Sequence, residues 1–157
     1  MKTRRQFDLH GEAEQEALGA ALARTCRAPA LIYLDGDLGA GKTTLVRGWL
    51  RGLGHAGSVK SPTYTLIEPY EIDGQSIYHL DLYRLGDPGE LEYLGLREML
   101  AEDAVVLIEW PQRGLGWLPT PDLEILIEHM AGGRRLTLTA NSPTGGTMLT
   151  GLESDSQ

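Results

Sequence analysis

The stretch GDLGAGKTT, residues 36–44, decides how the rest of the chain is read. Gly36, Gly41, Lys42 and Thr43 meet the pattern of a glycine, four residues, then Gly-Lys-Ser/Thr. Before it, ALIYLDG is a short apolar run ending in glycine, which reads as a buried strand. After it, KTTLVRGWLRGLG places Leu45, Trp49, Leu50 and Leu53 at helical spacing, with Arg47 and Arg51 outside and Gly54 as C-cap. A glycine loop between strand and helix is the setting in which backbone N–H groups turn inward to cradle phosphate oxygens. The helix N-terminus adds the positive end of its dipole. Lys42 then neutralises charge on the β- and γ-phosphates, and Thr43 offers its hydroxyl to Mg²⁺.

Composition narrows the rest. At 157 residues, with 41% apolar and 23% charged residues, the chain is one globular domain's worth. A net charge of −8 argues against a direct grip on a nucleic-acid backbone, which needs clustered Lys and Arg. The single cysteine, Cys26, has no partner for a disulfide or a CxxC zinc site, so no structural zinc is expected and the thiol reads as packed and inert. The longest apolar runs, such as AVVLIEW at 104–110, are too short to cross a bilayer, and the first residues lack a signal-peptide core. The expectation is a cytoplasmic protein without membrane attachment.

Outward from the loop, residues 12–26 read as an acidic-first amphipathic helix, with Leu18, Ala21, Leu22 and Cys26 on one face. SVKSPTYTLIEPYEI reads as a loop entering a strand, and GQSIYHLDLYRL as a second strand that pairs with it through the Asp73-Gly74 turn. DPGELEYLGLREMLAED reads as one helix capped near Asp87, with Pro88 in its first turn and Leu91, Leu94 and Glu98 in register. AVVLIEWP is the strongest strand, and LEILIE with RRLTLTA forms an antiparallel hairpin wetted on one face. The fold expected is α/β: a P-loop NTPase-like three-layer sandwich whose central sheet is mostly parallel, with antiparallel additions. Residues 1–141 form the ATPase domain and residues 142–157, rich in Ser, Thr and Gly, a polar flexible tail.

A phosphate loop needs an acid at the end of a buried strand beside the metal. Glu109 closes VVLIE and meets that description, and Asp81 in HLDLYR is the second candidate. The Asn/Thr-Lys-x-Asp stretch of GTP-specific loops does not occur, which favours ATP. Arg84 and Arg113 are the possible arginine fingers. His79 reads as a packed or hydrogen-bonded histidine, Trp49 as core, and the RGLGWLP loop with Trp117 as a possible docking surface for a partner. From these residues alone the reading is a P-loop ATPase or kinase.

GDLGAGKTT, SPTYTLIEPY, YHLDLYRL and IEWPQRG, in this order and spacing, resemble the TsaE (YjeE) family, bacterial ATPases of tRNA threonylcarbamoyladenosine biosynthesis. The resemblance covers about residues 8–140. It implies binding of ATP and Mg²⁺, with hydrolysis that is slow alone. It implies association with the two proteins that transfer the threonylcarbamoyl group to adenosine 37 of ANN-reading tRNAs, so that tRNA is met indirectly and hydrolysis resets the complex. Carried over by motif, the nucleotide loop is Gly36, Asp37, Leu38, Gly39, Ala40, Gly41, Lys42, Thr43 and Thr44, with Thr43 and Glu109 at the metal. Ser61, Thr63, Tyr64 and Thr65 match a switch-like segment, Asp81 an acid needed for activity, and Trp110 the tryptophan after the metal-binding Glu. Gln112, Arg134 and Glu12 fall where the family contacts nucleotide. Lys42, Asp81 and Glu109 are the expected catalytic set. Two other readings stand beside this one: a small-molecule kinase, which needs an acceptor pocket with several arginines, and a nucleotide-sensing module, which need not keep Glu109 and Asp81.

Overall fold

The structure, a computed structural model, describes residues 3–37 and 39–155, and of residues 153–155 the backbone alone. Its sheet contains β1 (Thr3–Leu9), β2 (Ala30–Gly36), β3 (Ile67–Ile72), β4 (Gln75–Asp81), β5 (Ala104–Glu109), β6 (Leu123–Met130) and β7 (Gly133–Ala140). Their spatial order is β1-β7-β6-β2-β5-β4-β3. β2 runs parallel to β5 and β6, and β5 parallel to β4. The additions are antiparallel: β3 on β4, and β7 between β6 and β1. The sheet is thus parallel at its centre and antiparallel at its margins, as expected. β5 is buried along its whole length, which suits its unbroken apolar sequence. β6 alternates buried and exposed residues because only one of its faces is covered.

Side-chain alternation divides the core into two layers. Ala30, Ile32 and Leu34 of β2, with Val105 and Leu107 of β5, pack beneath α1 (Glu12–Thr25), α2 (Lys42–Gly52) and α5 (Pro143–Asp155). Leu31, Val106, Ile108 and Leu80 face the other way, onto α3 (Glu90–Tyr93) and α4 (Leu96–Ala101). Trp49 is 2% exposed and belongs to the first layer, so it is core. Helices α1 and α2 cross with almost no side chain between them: a Cβ on Gly48 would strike the backbone of Glu16, and one on Gly19 the backbone of Leu45.

Two expectations give way. The polar tail is instead helix α5, which buries Met148, Leu149 and Leu152. Ser142 accepts the Gly145 N–H through its Oγ (3.2 Å) and donates to Asp122 Oδ1 (2.6 Å), with Pro143 in the first helical position. The glycines that read as disorder are close-approach positions: a Cβ on Gly145 would run into the Asp122 carbonyl, and one on Gly151 into Thr25. Second, residues 87–103 are not one helix. Gly95 takes the left-handed conformation (φ 83°) and separates α3 from α4. Ahead of α3, Asp87 Oδ1 accepts the Gly89 N–H (3.0 Å) while Glu90 Oε1 accepts the Asp87 N–H (3.2 Å), but the residue that starts the helix is Gly89, which has no side-chain cap. Leu91 is buried and Glu98 exposed, so Glu98 is not in register with the packed face. TRRQFDL, to which the sequence reading assigned no element, is edge strand β1, whose pairing with β7 runs from Thr3↔Ala140 to Leu9↔Arg134. No helix among the described residues is long and apolar enough to cross a membrane.

Candidate nucleotide site

The carboxyl ends of β2, β4 and β5 open beneath the N-terminus of α2, and the residues expected there converge. Glu12, Gly39, Ala40, Gly41, Lys42, Thr43, Thr44, Ser61, Thr63, Asp81, Glu109 and Trp110 all line one cleft of about 340 Å³. Parity explains the convergence of the acids. Asp81 of β4 and Glu109 of β5 are register partners, and both fall on the side chain phase of Ile77, Val105 and Leu107, toward α1 and α2.

The loop itself is held from below. Gly41 caps α2 in the left-handed region (φ 104°), and a Cβ there would run into the side-chain amide of Gln15. Gln15, 6% exposed on α1, donates from Nε2 to the Ala40 carbonyl at 3.2 Å. Gly36 sits so close to Ile127 that a Cβ would meet its carbonyl at 2.7 Å. Lys42 donates to the Gly36 carbonyl and, at 3.2 Å, to that of Asp37. Its ammonium also lies 4.2 Å from the ring centroid of Trp110. Burial holds Lys42 below the ordinary lysine value, against the pull of the Glu109 and Asp81 carboxylates. Trp110 reaches this position from a left-handed backbone (φ 57°), and its ring packs on Tyr83 with centroids 4.9 Å apart.

Glu109 is 3% exposed and accepts two hydrogen bonds at one oxygen, from Thr43 Oγ1 (3.2 Å) and His79 Nε2 (2.6 Å). The expectation of a hydrogen-bonded histidine at 79 is met, and its partner is the acid of the site. Asp81 accepts the Tyr83 N–H at 3.0 Å, and burial raises its carboxyl above the ordinary value despite that bond. Ser61 and Thr63 pair through their hydroxyls at 2.8 Å around a buried Pro62.

Other expected residues lie elsewhere. Gln112 is exposed and donates to Asp35 Oδ1 at 3.3 Å, in a hollow on the other side of Trp110. Arg134 does not line the cleft; it donates to the Gly39 carbonyl at 3.4 Å and so touches the outside of the loop. Tyr64 is 81% exposed beneath the Arg84 guanidinium, and Thr65 donates to Glu68 at 3.2 Å. Asp37 lines the hollow shared with Gln112. Leu38 lies outside the described residues. Arg84 and Arg113 are both exposed, and Arg113 sits 5.5 Å over the Tyr83 ring. Cys26 is packed, its thiol pushed up to about 12 by burial. Gln15, Tyr83 and the His79–Glu109 contact escaped the sequence reading, since none belongs to a local motif.

With this geometry in view, a family profile described as "Threonylcarbamoyl adenosine biosynthesis protein TsaE" matches residues 9–136. The tRNA threonylcarbamoyladenosine biosynthesis protein TsaE of Haemophilus influenzae is 53% identical over 115 residues, covering 73% of this chain and 73% of that one. Its counterpart of the same description in Bacillus subtilis is 38% identical over 128 residues, covering 81% and 80%. Among solved structures, Bacillus subtilis YdiB superposes with a TM-score of 0.86 at 28% identity, covering 100% of this chain and 99% of that one.

Proposed function

The chain belongs to the TsaE family of threonylcarbamoyl adenosine biosynthesis proteins, and from that premise we propose that it is a Mg²⁺-dependent ATPase whose turnover resets the transferase of that pathway. The observation that carries the reading is the meeting of Thr43 Oγ1 and Glu109 Oε2, 3.2 Å apart, on the floor of a glycine-loop cleft. A hydroxyl and a carboxylate are the hard oxygen donors that suit Mg²⁺, which takes few protein ligands and shares its shell with phosphates and water. Among the described residues no group of three or more His, Cys, Asp or Glu gathers to hold an ion. The nucleotide's phosphates therefore complete the shell on this reading. Bound there, the metal supplies charge stabilisation at the β- and γ-phosphates.

The chain's own residues do the rest. Lys42 leaves the Gly36 and Asp37 carbonyls and the Trp110 face to meet the phosphates. Backbone N–H groups of the glycine loop hold the phosphate oxygens. Asp81, the register partner of Glu109 with its carboxyl raised by burial, orients the attacking water on this reading. Water as acceptor, rather than an organic substrate, is favoured by the lining of the cleft, which includes no arginine among the described residues. An arginine finger is worth ~10³–10⁵ in turnover. With Arg84 over Tyr64 and Arg113 over Tyr83, both on the surface, hydrolysis is slow until partners reshape the site. Those partners are the two proteins of the transferase complex, and through them the tRNA, in the cytoplasm. The acidic net charge of −8 fits indirect contact with the tRNA.

The test follows the γ-phosphate. ATP turnover is measured with the protein alone, then with the two transferase proteins and tRNA. Slow, Mg²⁺-dependent release of free phosphate that rises with the partners is the expected result. Phosphate recovered on an organic acceptor would return the kinase reading to first place, and binding without turnover under any condition would favour the sensing module.

A further inference from the structure

His79 is wholly buried, at 0% exposure, in the middle of an apolar core layer. It lies on β4 two residues before Asp81 and on the same face, with Leu107 as its register partner on β5. Its Nε2 is 2.6 Å from Glu109 Oε2, while its Nδ1 has no hydrogen-bond partner. A buried polar side chain with one end unsatisfied costs free energy that an apolar residue of similar volume would not. Among the described residues the one polar group it serves is the carboxylate of Glu109.

The contact also fixes the chemistry of the ring. A carboxylate oxygen accepts and does not donate, so the proton of this bond sits on Nε2. A lysine or arginine in the same place would hold the carboxylate too, but as a fixed cation competing with a bound metal. The Thr43 hydroxyl reaches the same oxygen at 3.2 Å, so both bonds anchor Oε2 and define the direction of the carboxyl plane.

We propose that His79 is a positioning residue for the nucleotide site: its Nε2–H holds the Glu109 carboxylate in the orientation in which that group and Thr43 receive the metal. The contact stands on geometry alone, and its role rests on the Mg²⁺-ATPase reading above. The arrangement is the carboxylate counterpart of the outer partners that orient metal ligands, whose loss costs roughly 10–100-fold in metal affinity or activity.

Two variants of the full chain separate positioning from packing. His79→Leu keeps apolar volume and removes the donor, whereas His79→Gln keeps an N–H donor near the Nε2 position. Three quantities are read: the tautomer of His79 by long-range ¹H–¹⁵N NMR without nucleotide, the Mg²⁺ dependence of ADP binding by calorimetry, and the Mg²⁺ concentration at half-maximal turnover. The expected results are an Nε2–H tautomer, and a Mg²⁺ requirement raised about 10–100-fold in His79→Leu with metal-free ADP affinity within about twofold of wild type. His79→Gln should recover most of that loss. An Nδ1–H tautomer overturns the proposal. So does His79→Leu with the wild-type Mg²⁺ requirement, or His79→Gln that folds and fails as badly as His79→Leu. If His79→Leu does not fold, the tautomer and the glutamine variant still decide. A wild-type chain indifferent to Mg²⁺ overturns the ATPase reading and this role with it, and is told apart because no variant is needed to see it.

Discussion

Removing residues 142–157 should unfold the protein, although their composition resembles a linker. Helix α5 inserts Met148, Leu149 and Leu152 at 0%, 2% and 3% exposure into the layer formed with α1 and β7. Burying each such side chain is worth roughly 1.5–3 kcal/mol, or about 4.5–9 kcal/mol for the three. That is the same size as the entire stability of a typical domain, about 5–15 kcal/mol. Compact unfolded chains already bury part of this surface, which lowers the sum without changing its order. A chain ending at Asn141 should therefore show no cooperative thermal transition by circular dichroism, or one displaced far downward. In the full chain, Leu149→Ala should cost about 2–5 kcal/mol, a fall of roughly 4–20 °C in Tm at about 2–4 °C per kcal/mol. A truncated chain with unchanged Tm and urea cooperativity would refute the seating of α5 and restore the view of a dispensable tail.

Asp81→Asn should stabilise the fold while removing turnover, because burial raises the Asp81 carboxyl and Asn keeps an acceptor for the Tyr83 N–H. A carboxyl held above its unfolded value gives stability that is present below that value, 3.8, and lost as pH rises through the folded one. The gain in Tm of the variant should then be largest at neutral pH and shrink as pH falls toward 4, followed by thermal melts across pH 4–8. Gln15→Ala leaves the Ala40 carbonyl without its donor, a loss of about 1–3 kcal/mol that should weaken ADP binding about tenfold in calorimetry. Unchanged affinity with a lower Tm would reduce Gln15 to packing. Because Trp110 stacks over the Lys42 ammonium, ATP should change its fluorescence by drawing that ammonium away, and Trp110→Phe should abolish the change while Trp49 and Trp117 remain.

Where a local segment carries its own instructions, the sequence was legible. The strand-loop-helix at 30–52, the acid closing β5 and the hairpin of β6 and β7 each follow from spacing within a few residues. Ser61, Thr63 and Asp81 were named from motifs, and the structure brings them to the same cleft as Lys42 and Glu109. The failures share a cause in tertiary context. Nothing in SPTGGTMLTGLESD signals that Asp122 and Thr25 lie close enough to require glycine, though Ser142-Pro143 and the Met148, Leu149, Leu152 spacing were usable helix signals. Gly95 fell inside the segment read as one helix, because its φ of 83° is a property of the fold. His79 and Glu109 are 30 residues apart in sequence, so their bond is invisible until β4 and β5 are laid side by side. Gln112 and Arg134 sit near the loop but do not line the cleft: Gln112 follows the left-handed Trp110, and Arg134 reaches from β7 only to the Gly39 carbonyl.

The pairing of β1 with β7 joins Thr3 to Ala140 and therefore sets a schedule for biosynthesis. Strand β1 is made before the other six strands and waits for β7, the last of them, to find its neighbour. At about 5–20 residues per second, the wait is on the order of ten seconds. Throughout it the strand is an unsatisfied edge, open to pairing with any other nascent or misfolded chain. Arg4, Arg5 and Asp8 give that edge a charge every few residues, a pattern that discourages such encounters and that Asp8 and Arg135 later use in an ion pair of 2.9 Å. The charges of β1 thus act on the strand while it waits for β7 as well as in the finished sheet.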